Sequence, residues 1–209
     1  MLETALVAFT TFFATIGPAD VAALFAALTV DHSPKERRAI ALKGTLIAAG
    51  ILLFFALFGE AVLAHFGITL AALRTAGGIL LLLIAIDMVF ARPSGSTTTT
   101  SEETAEAKAK HDISVFPLAT PLIGGPGAIG AAILLVADAQ GDRLLEAIVV
   151  LVLIGVLLLT FLLMLVATQV QRVLGVTGLQ VVSRVVGVLL AALAVQFIFD
   201  GIGASGILS

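Results

Sequence analysis

The sequence contains no cysteine, no tryptophan and no tyrosine, and it has few charged residues. The absence of cysteine excludes disulfides, thiolate metal sites and thiol redox relays. Charged residues make up 12% of the 209 positions, whereas apolar residues make up 60% and the mean hydropathy is +1.18. A soluble domain of this size needs more polar surface than this composition provides. The sequence therefore predicts an integral membrane protein, and nothing in it indicates a nucleic-acid partner.

Six apolar stretches are long enough to cross a bilayer as helices. A helix rises about 1.5 Å per residue, so about 20 apolar residues cross a hydrocarbon core of about 30 Å. The predicted spans one to six are Thr4–Val30, Gly44–Leu63, Leu70–Phe90, Ile113–Ala137, Ala147–Ala167 and Val181–Ile202. We expect span one to be retained, because the N-terminus lacks the basic start and small-residue cleavage site of a signal peptide.

The spans form two groups of three, residues 1–91 and 113–209, on either side of a polar segment, residues 92–112. This segment has too little apolar surface to pack, so it is predicted to be a flexible tether rather than a regulatory element. Lys and Arg accumulate on the cytoplasmic side of membrane proteins. Nine of the 11 fall in the linker and in the loops after spans one and five, leaving Arg74 and Arg143 on the other side. Both termini are therefore predicted to lie outside the cell (inner) membrane, with the linker in the cytoplasm.

The two groups of spans resemble each other. Span three opens with Arg74 and Gly77, and span six opens with Arg184 and Gly187 at an offset of 110 residues. Spans one and four each carry a Gly-Pro pair, at an offset of 108 residues. Because three crossings is an odd number, the second copy is inverted, and inverted repeats with broken helices are typical of secondary transporters. The sequence thus predicts an all-α membrane protein of two inverted three-helix repeats, with those four Arg and Gly residues in structural or gating roles. The alternative is chance similarity between apolar helices.

Span four contains two prolines and three glycines within eight residues. Proline removes a backbone donor and clashes with the preceding turn, so a continuous helix is not predicted here. Unpaired backbone at membrane depth is tolerated only where it is buried in protein or lines a wet cavity. With Gly125 as the N-cap, the amides of Gly127 and Ala128 would point into the break and bind an anion; a kink sealed by a neighbouring helix is the alternative. The predicted binding residues are Thr120, Pro121, Gly124, Gly125, Pro126, Gly127 and Ala128.

Span one has a corresponding break at Gly17-Pro18, followed by a carboxylate at Asp20. A charge at bilayer depth costs about 2.5–3.5 kcal/mol, so it needs a reason. Asp20 either caps the half-helix or binds an ammonium group, a cation or a proton. The two breaks together predict a site for a zwitterion such as a small amino acid. Gln196 in span six is predicted to line the pocket or to form an interhelical hydrogen bond.

Enzyme motifs are absent from the sequence. It contains no His-Glu-x-x-His, Gly-x-Ser-x-Gly or Gly-x-x-x-x-Gly-Lys pattern. The three histidines fall in loops without metal-ligand spacing. We therefore expect no enzymatic activity, no metal site and no cofactor, apart from coupling to H⁺ or Na⁺. Arg74 and Arg184 are expected to pair with acids or to snorkel to the membrane surface.

Three stretches of the sequence resemble the MarC family. They are Phe116–Ile129, Leu73–Leu80 and Val195–Ile202, and with Gly17-Pro18 they extend over nearly the whole chain. The resemblance implies a six-span transporter of the larger lysine-exporter-like superfamily, with small neutral amino acid transporters among its relatives. One position departs from the family, which usually has Asp or Asn directly before the span-one proline. Asp20, one turn later, either replaces that polar group or indicates different chemistry.

The sequence as a whole predicts a secondary transporter of small neutral amino acids, such as glycine or alanine, that works by alternating access. The alternatives are an exporter of another small metabolite, a channel, and a non-transporting assembly factor or sensor. The expected partners are the amino acid substrate and membrane lipid, and a homo-oligomer is compatible with the sequence.

Overall fold

The computed structural model describes residues 1–29, 32–90 and 113–206. Within these ranges the chain is helical and contains no strand. The elements are α1 (Leu2–Ile16), α2 (Pro18–Leu28), α3 (Pro34–His65), α4 (Leu70–Phe90), a π-helical segment (Ser114–Ile123), α5 (Pro126–Ala137), α6 (Arg143–Leu165) and α7 (Ala167–Ala204). The predicted linker, residues 92–112, lies outside the described residues.

Five helical stretches of the described chain are long and apolar enough to cross a membrane. They comprise α1 with most of α2, then α3, α4, α6 and the part of α7 from Gly187 onward. The π-helical segment and α5 pass the same test together, but they are bent by 54°. These findings confirm an all-helical architecture with five or six candidate spans.

The helices bury one face each against a common core. In α1, Ala8, Phe12 and Thr15 are buried at the three- and four-residue spacing of a helix face. The largest fully buried side chains include Phe25 of α2 and Leu52 of α3. α3 packs against the π-helical segment and α5, whereas α6 packs against α1 and α2.

The direction of the π-helical segment and α5 follows from their contacts with α3. Gly44 near the start of α3 lies against Leu118, and Gly59 near its end lies against Ile133. The two contacts are separated by about 22 Å along α3 at 1.5 Å per residue. From the first contact to the second, the residue numbers increase both in α3 and in its partner, so the two run in the same direction. The π-helical segment and α5 together therefore cross the bundle once and do not turn back.

α4 and α7 form an antiparallel pair held close by glycines. Gly201 meets the start of α4, Gly78 meets the middle of α7, and Gly187 meets the end of α4. A Cβ atom on Gly78 would lie 2.7 Å from the carbonyl oxygen of Ala194. Small residues allow this approach of two backbones, which stabilises helix pairs in membranes through packing contacts.

Two helices begin ten or more residues earlier than the apolar spans that predict them. α3 begins at Pro34 instead of Gly44, behind a capping box in which Ser33 and Glu36 satisfy each other's backbone amides. α7 begins at Ala167 instead of Val181, so the predicted loop after span five is wrong. The segment from 167 to 180 carries Gln and Arg but no proline, and therefore it is too polar for a span yet able to form a helix.

Candidate functional site

The first interruption separates α1 from α2 at Gly17. This residue has φ 61° and ψ 59°, a left-handed conformation that glycine adopts at little cost. The helix resumes when the amide of Val21 donates to the carbonyl of Gly17 at 2.9 Å. Pro18 has no N–H, and the amides of Ala19 and Asp20 have no backbone partner among the described residues. The start of α2 therefore presents two unpaired donors.

The π-helical segment contains two extended residues, each directly before a proline. Phe116 has φ −129° and ψ 127°, and Thr120 has φ −140° and ψ 124°. The proline ring disfavours the helical conformation for the residue that precedes it, which accounts for both positions. The segment ends at Gly124, whose amide donates to the carbonyl of Ala119 at 2.8 Å.

α5 begins directly after this segment. Gly125 is its extended N-cap, with φ −76° and ψ 169°, and Pro126 is its first residue. The first hydrogen bond back to the cap is donated by Ile129, at 3.0 Å from the carbonyl of Gly125. The amides of Gly127 and Ala128 have no backbone partner within the described ranges, and no side chain caps this terminus. Two free donors at the positive end of the helix dipole form a favourable place for a negatively charged group.

The two interruptions are neighbours in space. The methyl group of Thr15, in the last turn of α1, lies 3.9 Å from the position that a Cβ atom on Gly127 would occupy. The Thr15 hydroxyl is turned away and donates to the carbonyl of Thr11 at 2.8 Å. Ile84 of α4 approaches the same Cβ position to 2.7 Å. The free amides at the start of α5 therefore lie beside the end of α1, whose carbonyls carry partial negative charge.

Asp20 is the third residue of α2 and is exposed. It lies on the face of the helix opposite to the buried residues Pro18, Val21 and Phe25. A Cβ atom on Gly17 would lie 3.4 Å from the Asp20 carboxylate oxygen Oδ2, so the side chain folds back toward the break. The carboxylate accepts no hydrogen bond from the residues that the structure describes.

The remaining predicted binding residues differ in their surroundings. Thr120 and Pro126 are exposed, Pro121 is half-buried, and Gly124 and Gly125 are buried at the break in span four. Gln196 is exposed and donates to Asp200 at 2.7 Å, one turn further along its own helix rather than across to another helix.

The predicted structural or gating residues lie near the start of α4 and within α7. Arg74 forms an ion pair with Asp138, which follows the end of α5. Gly77 lies against Leu134 of α5, whereas Gly187 lies against α4. Arg184 is exposed.

Three residues near these sites escape prediction from the sequence. Thr15 lies two residues before Gly17, and a hydroxyl at that depth is the signal that could have found it. Ile84 is one of many apolar residues in its span and gives no signal. Asp138 could have been found as an acid at the end of span four on the same predicted side as Arg74. Among the described residues, no group of three His, Asp or Glu side chains could hold a metal ion.

The part of the chain that matches a known protein family includes both interruptions. The sequence profile described as MarC family integral membrane protein matches residues 2–205, which is nearly the whole chain. The chain belongs to the MarC family. This match confirms the resemblance drawn from Phe116–Ile129 and the two shorter stretches, and it supports an integral, multi-pass membrane protein.

Several relatives in the MarC family align along most of their length. The UPF0056 membrane protein MJ1677 of Methanocaldococcus jannaschii is 39% identical over 203 residues, which are 96% of this chain and 97% of that protein. A UPF0056 membrane protein of Archaeoglobus fulgidus is 37% identical over 195 residues, 93% of this chain and 90% of the relative. The UPF0056 membrane protein YvbG of Bacillus subtilis is 35% identical over 194 residues, 93% of this chain and 92% of the relative. No solved structure matches the chain.

Proposed function

We propose that the protein is a secondary transporter of small neutral amino acids, of the glycine and alanine class, and not an enzyme. The observation that carries this proposal is the proximity of the two interruptions, where Thr15 at the end of α1 lies beside Gly127 at the start of α5. One side of this place offers free amides, and the other offers carbonyl groups and a carboxylate. Such a combination suits a molecule with one negative and one positive end.

The assignment of the two ends follows from charge. The substrate carboxylate would accept hydrogen bonds from the amides of Gly127 and Ala128, where the helix dipole favours an anion. The substrate ammonium would bind the carbonyls at the end of α1 and the carboxylate of Asp20. Ile84 and Thr15 approach the position that a Cβ atom on Gly127 would occupy to 2.7 Å and 3.9 Å, and this narrow space is the reason for proposing a small substrate.

The arrangement of helices supports an inverted repeat. The third helix of each half, α4 and α7, pack antiparallel to each other. α3 packs on both parts of span four, and its counterpart α6 packs on both parts of span one. When the first half is superposed on the second and the second on the first, the contacts of α3 with span four correspond to the contacts of α6 with span one. This correspondence is expected for two copies related by a pseudo-two-fold axis in the membrane plane. Alternating access then consists of rocking one repeat against the other around the paired breaks.

The orientation and energy source complete the proposal. The excess of Lys and Arg in the linker and neighbouring loops favours a cytoplasmic linker, with the Arg143 loop and both termini outside the cell membrane. Asp20 is exposed in the described structure and would also be suited to binding a coupling proton or Na⁺.

Counterflow in proteoliposomes tests the substrate class. Vesicles loaded with unlabelled glycine or alanine should accumulate labelled glycine, and this uptake should saturate. Acetate and ethylamine each carry one of the two charges and should compete poorly, because each leaves half of the site unpaired. If either competes as well as alanine, the zwitterion site is wrong; linear, unsaturable flux would indicate a channel.

The role of Asp20 is tested by Asp20→Asn. Loss of a charge-assisted hydrogen bond to the ammonium should weaken transport roughly ten- to hundredfold. Glu60→Gln is the matched control, because Glu60 is an exposed acid near the end of α3. Asn keeps the size and polarity of Asp but not its charge, so normal flux in Asp20→Asn would exclude the Asp20 charge from the site.

A further inference from the structure

We propose that the outer face of the first turns of α3 binds an anionic phospholipid, whose phosphate lies at Lys35 and Arg38. An acyl chain of this lipid then follows Leu42 and Leu46 along the same face. The inference concerns the outside of the bundle, and it does not depend on which substrate is carried or on whether the protein transports at all.

α3 is longer than a membrane requires. Its 32 residues extend over about 48 Å at about 1.5 Å per residue, whereas a hydrocarbon core is about 30 Å thick. Five of its six Lys, Arg, Asp and Glu residues fall within the first ten positions, 34–43. This charged end of the helix therefore lies at the level of the lipid headgroups and beyond, and the capping box of Ser33 and Glu36 stabilises its helical form.

The charged end of α3 has an inner and an outer face. On the inner face Ala41 is buried, and the guanidinium of Arg37 lies 5.9 Å from the centroid of the Phe25 ring of α2. Lys35 and Arg38 are exposed on the outer face. Residues three positions apart are neighbours on a helix surface, so these two cations lie side by side.

The outer face is suited to a phosphate by its charge. Residues 34–43 contain four Lys or Arg residues and one Glu, which gives a net charge of +3. The carboxylate of Glu36 accepts hydrogen bonds from the amide and the hydroxyl of Ser33, at 2.8 Å and 2.7 Å, and is thereby held at the start of the helix. Arg38 can donate two parallel hydrogen bonds to a phosphate, and Lys35 adds a second positive charge beside it.

Toward the hydrocarbon core the same face becomes apolar. Leu42 follows Arg38 by one turn and Leu46 follows by another, and their side chains are 47% and 62% exposed. Gly50 continues this row; it is exposed, and a Cβ atom there would meet nothing within 4 Å. The missing side chain leaves a shallow recess between Leu46 and Phe54. Two cations at the headgroup level followed by leucines and a recess match the order of phosphate and acyl chain in a lipid.

A second copy of the protein fits this face less well than a lipid does. Two copies in one membrane share the same orientation, so a two-fold axis would bring residues of equal depth together. Lys35 and Arg38 would then face the same two cations of the other copy, and such a juxtaposition of like charges is unfavourable.

Native mass spectrometry of the detergent-solubilised protein tests the site. Phosphatidylglycerol and phosphatidylcholine with identical acyl chains are titrated onto the parent protein, which should bind phosphatidylglycerol preferentially. Lys35→Gln combined with Arg38→Gln should weaken the binding of phosphatidylglycerol roughly 20- to 30-fold, because each cation near an anionic lipid surface contributes about a fivefold factor. Both side chains are exposed, so the double variant should fold like the parent.

Two control variants separate this site from general charge effects. Arg143→Gln combined with Arg184→Gln removes two exposed cations from other helices and should leave the binding unchanged. Lys35→Arg combined with Arg38→Lys retains both charges and should retain the preference for phosphatidylglycerol. Equal binding of the two lipids by the parent, or equal losses in the two glutamine pairs, would refute the proposal.

Two further measurements identify the occupant of the face. Glycerol 3-phosphate carries the charged group without acyl chains and should not displace the lipid; if it does, the face binds a soluble phosphate compound and the lipid is wrong. A dimer that dissociates on Lys35→Gln with Arg38→Gln would assign the face to a second copy and would also refute the lipid. Because the readout is lipid binding, a protein that fails to carry amino acids can still pass this test.

Discussion

Gly127 and Gly130 lie three residues apart in α5, but only the first is crowded. A Cβ atom on Gly127 would lie 2.7 Å from Cδ1 of Ile84, whereas a Cβ atom on Gly130 would meet nothing within 4 Å. Replacing each glycine by alanine adds the same methyl group to the same helix. Comparing the two variants therefore separates an effect on the amide site from a general effect on the helix.

The expected change in stability is small for both variants. Alanine stabilises a helix interior by up to about 1 kcal/mol relative to glycine. At Gly127 the Ile84 methyl must retreat by about 1 Å to reach a normal contact distance of about 3.5–4.0 Å. A side chain displaced from its rotamer to this extent costs about 0.5–1.5 kcal/mol. Gly127→Ala should therefore remain within about 1 kcal/mol of the parent protein, and Gly130→Ala should be at least as stable as the parent.

Transport should separate the two variants. Gly127→Ala should lose most of its glycine counterflow, because the added methyl group lies beside the free amides and would crowd a carboxylate bound to them. Gly130→Ala should retain counterflow. Size-exclusion chromatography of heated, detergent-solubilised protein would provide the stabilities.

A second substitution distinguishes blocked space from disturbed packing. Ile84→Val removes the crowding Cδ1 atom but leaves the added methyl group at position 127. If Gly127→Ala combined with Ile84→Val recovers transport, the defect came from packing and the assignment of this space to substrate is refuted.

Two further predictions concern the fold and its orientation. Gly78→Ala places a methyl group 2.7 Å from the carbonyl oxygen of Ala194, a backbone atom that cannot rotate away. Overpacking of this kind destabilises a protein by about 1–3 kcal/mol, so the melting temperature should fall by several degrees. Gly155→Ala, which meets nothing within 4 Å, should not lower it, and equal melting of the two variants would contradict the close helix pairing. Ser96→Cys in the linker should resist an impermeant maleimide in intact cells, and rapid labelling would reverse the proposed orientation.

The apolar spans could be predicted from the sequence because lipid imposes a minimum length on each helix. Leu70–Phe90 has the same bounds in the sequence prediction and in the structure. The predicted bounds are wrong where a helix extends beyond its apolar region, as α7 does at Ala167. Hydropathy indicates which residues are apolar enough to contact lipid, and it does not indicate which residues are helical.

The candidate site could be predicted only in part. Proline and glycine reveal the positions of interruptions through their backbone chemistry, so Gly17 and Gly125 stand out in the sequence. The contact between Thr15 and Gly127 joins residues more than 100 positions apart, and nothing in the sequence indicates that these two residues meet. The pairing of Arg74 with Asp138 depends likewise on the packing of α4 against α5, which no local pattern encodes.

The antiparallel pairing of α4 with α7 has a consequence for biosynthesis. Gly78 and its partner Ala194 are separated by more than 100 residues, and Ala194 belongs to the final helix of the described chain. At about 5–20 residues per second, a ribosome needs roughly 5 to 20 s to synthesise the intervening chain. During this interval the face of α4 on which α7 packs lacks this partner. Assembly of the bundle is therefore completed only after the final helix arrives, which makes its docking a late step in the maturation of the protein.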